Sequence, residues 1–228
     1  MRTRILPWMA AVIILICAIP GVASAASITL TGGVAGAIPA GAGVNNLIPT
    51  VLPGPLVGGF FGAQVNFSVS VPSDVTFDFF GGEADFSNEF DYLGSQLFSH
   101  VGGVNTVSPN IGTPLASVTF GLAGSGLLAF TFDVHSDAGH VVNGANVAPA
   151  TGLPNFFASC GVFSGVAGSG GTTCDRLWLF LDDSGGGPDT DFDDLVVRVT
   201  VNPVPEPATL TLLGLGLMGG SWFAKRRK

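Results

Sequence analysis

Positive charge is almost missing from the middle of this 228-residue chain. Of its eight Lys and Arg residues, Arg2 and Arg4 stand at the start and Lys225, Arg226, Arg227 and Lys228 at the end, which leaves Arg176 and Arg198 among sixteen acidic residues. The formal net charge is -8. Such a surface repels phosphate backbones and attracts cations, which argues against nucleic-acid binding. Cysteine is equally scarce, at three. Cys17 follows Ile16, where a lipoprotein signal needs a small residue, so it reads as part of an N-terminal apolar run. Cys160 and Cys174 remain, and an even pair in an oxidising compartment is most simply one disulfide. Charged residues make up only 11% of the chain, and abundant Gly, Ala and Pro give little helix propensity outside its ends. Familiar catalytic signatures are also lacking. There is no G-x-S-x-G nucleophile elbow and no glutamate-containing zincin motif, and a Cys–His dyad would need a free thiol.

Glycine (34) and proline (15) mark a loop-rich protein, while 18 phenylalanines can supply a core. The length fits one domain, or two at most. Met1–Ala25 has the positive, apolar, small-residue order of a secretory signal peptide, with cleavage expected after Ala25. Ile28–Leu30 suits a short strand. Thr31–Gly59, interrupted by Pro39, Pro49, Pro53 and Pro55, reads as a loop, so residues 26–59 are expected to form an arm. Val65, Phe67, Val69 and Val71 alternate with polar residues, and Val75–Phe80 alternates again after a Pro72–Asp74 turn, which predicts two joined strands. Ala116–Leu122 and Leu127–Val134, around a Gly-Ser-Gly link, predict a central hairpin. Phe156–Phe163 suits another strand. The expected fold is all-β: a single antiparallel β-sandwich or jelly-roll-like domain over residues 60–201.

The segment with most chemistry is Leu177–Thr200, LWLFLDDSGGGPDTDFDDLVVRVT. Trp178 and Phe180 fall on one face of the first run and Leu177, Leu179 and Leu181 on the other, so both faces should be buried. In the second, Leu195, Val197, Val199 and Val201 oppose a wetter face with Arg198 and Thr200. Between the runs stand Asp182, Asp183, Asp189, Asp191, Asp193 and Asp194. Carboxylates crowded into a turn repel one another without a counter-ion, and calcium takes six to eight oxygens, so these six residues are the candidate metal ligands and calcium the candidate ion. No Gly stands where an EF-hand loop requires one. The competing reading is a hairpin capped by Asp183, Ser184 and three glycines, with the other aspartates in water.

Two further groups carry titratable side chains. Glu83, Asp85, Glu89 and Asp91 read as a solvated acidic loop, with a share in a cation site or a Glu83/Glu89 acid–base pair for sugar hydrolysis as the functional alternatives. Asp133, His135, Asp137 and His140 offer imidazole and carboxylate at a strand end, which suits zinc but is equally explained by polarity alone.

The segment FLDDSGGGPDTDFDDLVVRV resembles the acidic signature that precedes the sorting tail in secreted bacterial proteins of the PEP-CTERM class. Val204-Pro205-Glu206-Pro207, the apolar stretch Ala208–Ala224 and the closing KRRK resemble the PEP-CTERM sorting signal itself over residues 202–228. As a helix the apolar stretch would be about 26 Å long, near the lower limit for crossing a bilayer, with the basic cluster on the cytoplasmic side. The resemblance implies export in a Gram-negative bacterium, transient inner-membrane anchoring of the precursor by a transmembrane helix at Ala208–Ala224, processing by an exosortase near Pro205–Pro207, and a surface or extracellular product associated with exopolysaccharide. The expected function is a non-enzymatic surface or matrix protein of the biofilm. A calcium-dependent carbohydrate-binding module and a secreted polysaccharide hydrolase are the alternatives.

Overall fold

The two apolar runs flanking the acidic turn become β15 (Arg176–Asp182) and β16 (Leu195–Pro203), paired antiparallel with Leu181 opposite Leu195 and Arg176 opposite Thr200. This is seen in a computed structural model, which describes residues 26–39, 45–48, 56–110, 112–135, 139–145, 153–161, 172–184, 191–204 and 213–216. The expected signal peptide, Asp137, Asp189 and Pro205–Pro207 lie outside the described residues. Strands β15 and β16 occupy the middle of an eight-stranded sheet. Its order is β2 (Val34–Pro39), β3 (Leu56–Phe61), β13 (Asn155–Ser159), β15, β16, β5 (Ser73–Gly82) and β8 (Thr106–Val107), with β9 (Ala116–Leu122) also paired to β5. Both faces of the sheet's centre are buried. Leu177, Leu179, Leu181, Val197 and Val199 enter one apolar cluster, and Trp178, Phe180 and Val196 enter a second with Phe80, Phe157 and Phe192. Such double burial is why the β15 run is apolar without alternation.

The first cluster is completed by two four-stranded sheets. One runs β10 (Gly126–Leu127), β4 (Gln64–Ser68), β1 (Ser27–Thr31), β14 (Thr173–Cys174), and the other β12 (Gly139–Val142), β11 (Phe130–Val134), β6 (Asn88–Tyr92), β7 (Ser95–His100). They contribute Ile28, Leu30 and Val65 from the one, and Phe90, Phe130 and Phe132 from the other. Phe90 sits 5.4 Å from Phe77 and 5.1 Å from Phe132 between ring centroids, so aromatic contacts join the sheets.

The expected sandwich or jelly roll is therefore corrected to an almost all-β fold of three sheets. Period-two alternation tells which face of a strand is buried, but not which sheet supplies its neighbour. The expected hairpin fails for that reason, and the two expected joined strands form as β4 and β5 but lie in different sheets. β4 pairs with β1 and β10 while β5 pairs with β16, β9 and β8. β9 pairs with β5, placing Val118 opposite Phe77, whereas β11 lies between β6 and β12. The Gly-Ser-Gly link thus carries the chain from one sheet to another. Nor is Thr31–Gly59 loop throughout, since β2 pairs with β3 from Val34 opposite Phe61 to Pro39 opposite Leu56.

The expected transmembrane helix is also corrected. Among the described residues no helix is long and apolar enough to cross a membrane. Within Ala208–Ala224 the described helix covers residues 213–216 alone, and two of those four are glycine, the poorest helix former after proline. Inner-membrane anchoring of a precursor through that segment has no support in this helix.

Cys160 and Cys174 form a disulfide with Cα atoms 5.8 Å apart, tying the end of β13 to β14. Replacing both by Ser should lower stability by about 3 kcal/mol, the loop-closure value for a separation of this size. Urea unfolding of the double variant against the oxidised parent checks it. A loss below about 1 kcal/mol would mean that the strand pairing alone confines this loop.

Candidate functional site

A β-bulge builds the corner where the acidic residues meet. Between β16 and β5 the register shifts, with Val196 opposite Gly81 and Val197 opposite Phe79. The extra residue bends β5 and swings its end over the β15–β16 connection. Gly81 takes φ +123°, and a Cβ there would collide with the Thr106 carbonyl oxygen, so no other residue fits without displacement. In consequence the Glu83 N–H donates to the Asp193 carbonyl oxygen at 3.0 Å.

The described aspartates of the turn divide into three roles. Asp182 closes the chain reversal: its Oδ1 accepts from the Ser184 N–H at 3.1 Å and from the Ser184 hydroxyl at 3.4 Å. Asp183 and Asp194 form a buried carboxyl pair. Asn88 Nδ2 donates to Asp183 Oδ2 at 2.9 Å, and the Asp183 N–H donates to Asp194 Oδ2 at 2.7 Å. Asp193 is fully buried, its Oδ2 accepting from the Leu47 N–H at 2.5 Å. Its Oδ1 is buried with no hydrogen-bond partner, and so is Glu83 Oε2. Asp191 accepts a long bond of 3.4 Å from the Asp193 N–H at its Oδ1.

Electrostatics follow from that crowding. Burial, the nearby Asp183 and Asp191, and then Asp182 push Asp194 up to about 10. Burial, the hydrogen bond and charge of Asp191, and the charge of Glu83 push Asp193 up to about 9. Asp183 is raised as well, again chiefly by burial. Without a cation beside them, Asp193 and Asp194 keep their protons at neutral pH. A cavity of about 520 Å³ opens at this corner, lined by Glu83, Asp85, Asn105, Asp183, Asp191 and Asp194, with the exposed Phe86 at its side. Among the described residues no group of three or more His, Cys, Asp and Glu stands ready-made to hold a metal ion.

The other candidates are held elsewhere. Asp133 lies opposite both Glu89 and His140, in a row across β6, β11 and β12. His135 Nε2 is 2.9 Å from Glu89 Oε1. Glu83 turns to the acidic corner and Glu89 to His135, so the two carboxylates of the hydrolase reading serve different partners. Asp91 is raised by burial and then by Glu89 and Asp133. Sequence reading gave no weight to His100, which is buried and accepts from the Ala84 N–H at Nε2, 3.3 Å away. Nor did it find Asn45, whose Oδ1 accepts from the Phe192 N–H at 2.6 Å and braces the turn from a segment nearly 150 residues earlier. No local signal marks such long-range contacts.

β16 runs on to Pro203, and the Val204 N–H donates to the Pro72 carbonyl oxygen at 2.8 Å, so Val204 is tied to the folded sheet. Residues 203–228 match the PEP-CTERM protein-sorting motif. No curated protein matches the chain. The chain therefore carries a PEP-CTERM sorting motif that starts where its last described strand ends, in keeping with an exosortase-targeted surface or secreted protein.

Proposed function

We propose that this chain is a non-enzymatic surface or extracellular-matrix protein of the biofilm, released by exosortase cleavage near Pro205–Pro207 and associated with exopolysaccharide. The observation that carries this reading is the position of the matched motif, which starts at residue 203 where β16 ends. Cleavage behind Val204 leaves every described strand in the product. The Cys160–Cys174 bridge suits an oxidising destination, and the acidic middle suits a soluble, cation-attracting surface.

Mass spectrometry of the exported protein should find a C-terminus at or before Pro207, and surface protein retaining Lys228 would overturn the processing claim. The exported product should also co-sediment with the producer's own exopolysaccharide without releasing reducing ends. Release of reducing ends that is lost in Glu83→Gln would favour the hydrolase instead. A calcium-dependent carbohydrate-binding module is the second reading. It is favoured by Phe86, an exposed aromatic beside the acidic cavity, where a sugar ring can pack beside carboxylates.

A further inference from the structure

We infer that the corner between the end of β5 and the β15–β16 connection takes a hard divalent cation, calcium above all, between Glu83, Asp191 and Asp193 and beside the Asp183–Asp194 pair. The inference is independent of how the chain is exported. It starts from two oxygens. Asp193 is fully buried, yet its Oδ1 has no hydrogen-bond partner, although buried polar atoms are nearly always paired. Glu83 Oε2 is another of the seven such atoms among the described residues, with Asn88 Oδ1 and His100 Nδ1 also around this corner, and the backbone bond from Glu83 to Asp193 keeps those two residues side by side. Buried carboxyls this crowded stay neutral only by keeping their protons, and a divalent cation can take the place of those protons.

Among the described residues no positive partner is supplied. No Lys or Arg is among the residues lining the cavity, Arg176 sits at the far end of β15, and Arg198 lies 2.8 Å from Asp78 on the neighbouring strand β5. Donor chemistry then selects the ion. The candidate donors are carboxylate oxygens, with the Asn105 amide at the rim and the nearby His100 accepting from Ala84. An oxygen-only set of this kind suits calcium and disfavours zinc or copper, which take nitrogen and sulfur. Asp193 and the Asp183–Asp194 pair are anchored by the Leu47 N–H and Asn88. Among the described residues there is no ready-made cage, so holding the ion requires the partly buried side chains of Glu83 and Asp191 to turn toward Asp193. Water fills the remaining positions, as calcium sites commonly allow.

This differs from the set suggested by sequence. Glu83 enters from another strand, and Asp182 leaves because its carboxylate closes the turn on Ser184.

The test is calcium titration of the chelator-stripped exported protein, read by calorimetry and thermal unfolding. At about a hundred times Kd, the melting temperature should rise by about 5–10 °C. Magnesium at equal concentration should do much less, because it demands tighter octahedral geometry. Asp193→Asn should stay folded by near-ultraviolet circular dichroism, since its side-chain oxygen still accepts from Leu47 while its amide can donate to Asp191 or Glu83. It should nonetheless lose at least about tenfold in calcium affinity, and Glu83→Gln should do the same. Three results would overturn the inference: no heat and no stabilisation at millimolar calcium, equal shifts with calcium, magnesium and high sodium, or an unchanged calcium response in both variants.

Discussion

Replacing Arg198 by Ala should cost about 3–5 kcal/mol of stability, the usual penalty for stripping one partner from a buried ion pair. Two nitrogens of Arg198 converge on Asp78 Oδ2, Nε at 3.0 Å and Nη2 at 2.8 Å, and the two side chains are 14% and 9% exposed. The guanidinium also lies 4.8 Å from the Phe80 ring centroid and 5.5 Å from that of Trp178, so its removal uncovers aromatic surface in the second apolar cluster. Asp78 would keep the Ser117 hydroxyl, which donates to its Oδ1 at 2.5 Å, but no countercharge from Arg198. Urea unfolding of Arg198→Ala, Asp78→Asn and the double variant gives the coupling directly. Asp78→Asn in the Arg198→Ala background should recover part of the loss, because it removes the stranded charge. A cost below about 1 kcal/mol for Arg198→Ala would mean that the pair behaves like a solvated one.

Arg198 also shows where the sequence stops being informative. Its alternation with Val197 and Val199 placed it on the wetter face of β16, but its partner lies 120 residues earlier and meets it through the β16–β5 register, Arg198 opposite Asp78. That register depends on a bulge whose sequence mark is only the glycine pair Gly81–Gly82. Strands β15 and β16 were legible because an apolar run with large residues at both parities must be buried on both faces. The Cys160–Cys174 bridge could be expected because no other cysteine follows the N-terminal apolar run. The failed hairpin was illegible for a physical reason: the Gly-Ser-Gly link between β9 and β11 permits a tight turn and equally permits a crossing between sheets. The sorting tail could be read because its motif is linear, whereas hydrophobicity suggested a spanning helix that no described helix provides. Half of the candidate site was readable as a run of aspartates. Glu83 could be named only as one of an acidic group with a share in a cation site as an alternative, and Asn88 and Asn45 not at all, because each reaches the turn from a separate part of the chain.

With calcium removed by chelator, stability should fall as pH rises from 7 to 9, opposite to the trend expected where carboxylates are held ionised by partners. Asp in the unfolded chain releases its proton near pH 4, whereas folded Asp193 and Asp194 hold theirs to about 9 and about 10. Across that interval the folded state binds more protons, so this stabilisation is complete below about pH 4 and is lost as pH climbs through the folded values. Each carboxyl then withdraws at most ~1.4 kcal/mol per pH unit. The groups facing them, Glu83 and Asp191 around Asp193 and Asp182, Asp183 and Asp191 around Asp194, are acidic, so none offers the leaving proton's charge a replacement. His100 works in the other direction. Burial lowers its pKa, so the unfolded chain takes up that proton first and stability drops as pH falls below about 6.5. The window from pH 7 to 9 separates the two effects. Thermal unfolding across it should show a clear decline for the parent and a shallower one for Asp193→Asn, which has one fewer proton to lose. A flat parent profile would mean that both carboxyls ionise in the folded state without penalty. Calcium should offset the decline most at pH 9, where the carboxylates it would compensate are most fully charged, and should move the Asp193→Asn profile clearly less than the parent's.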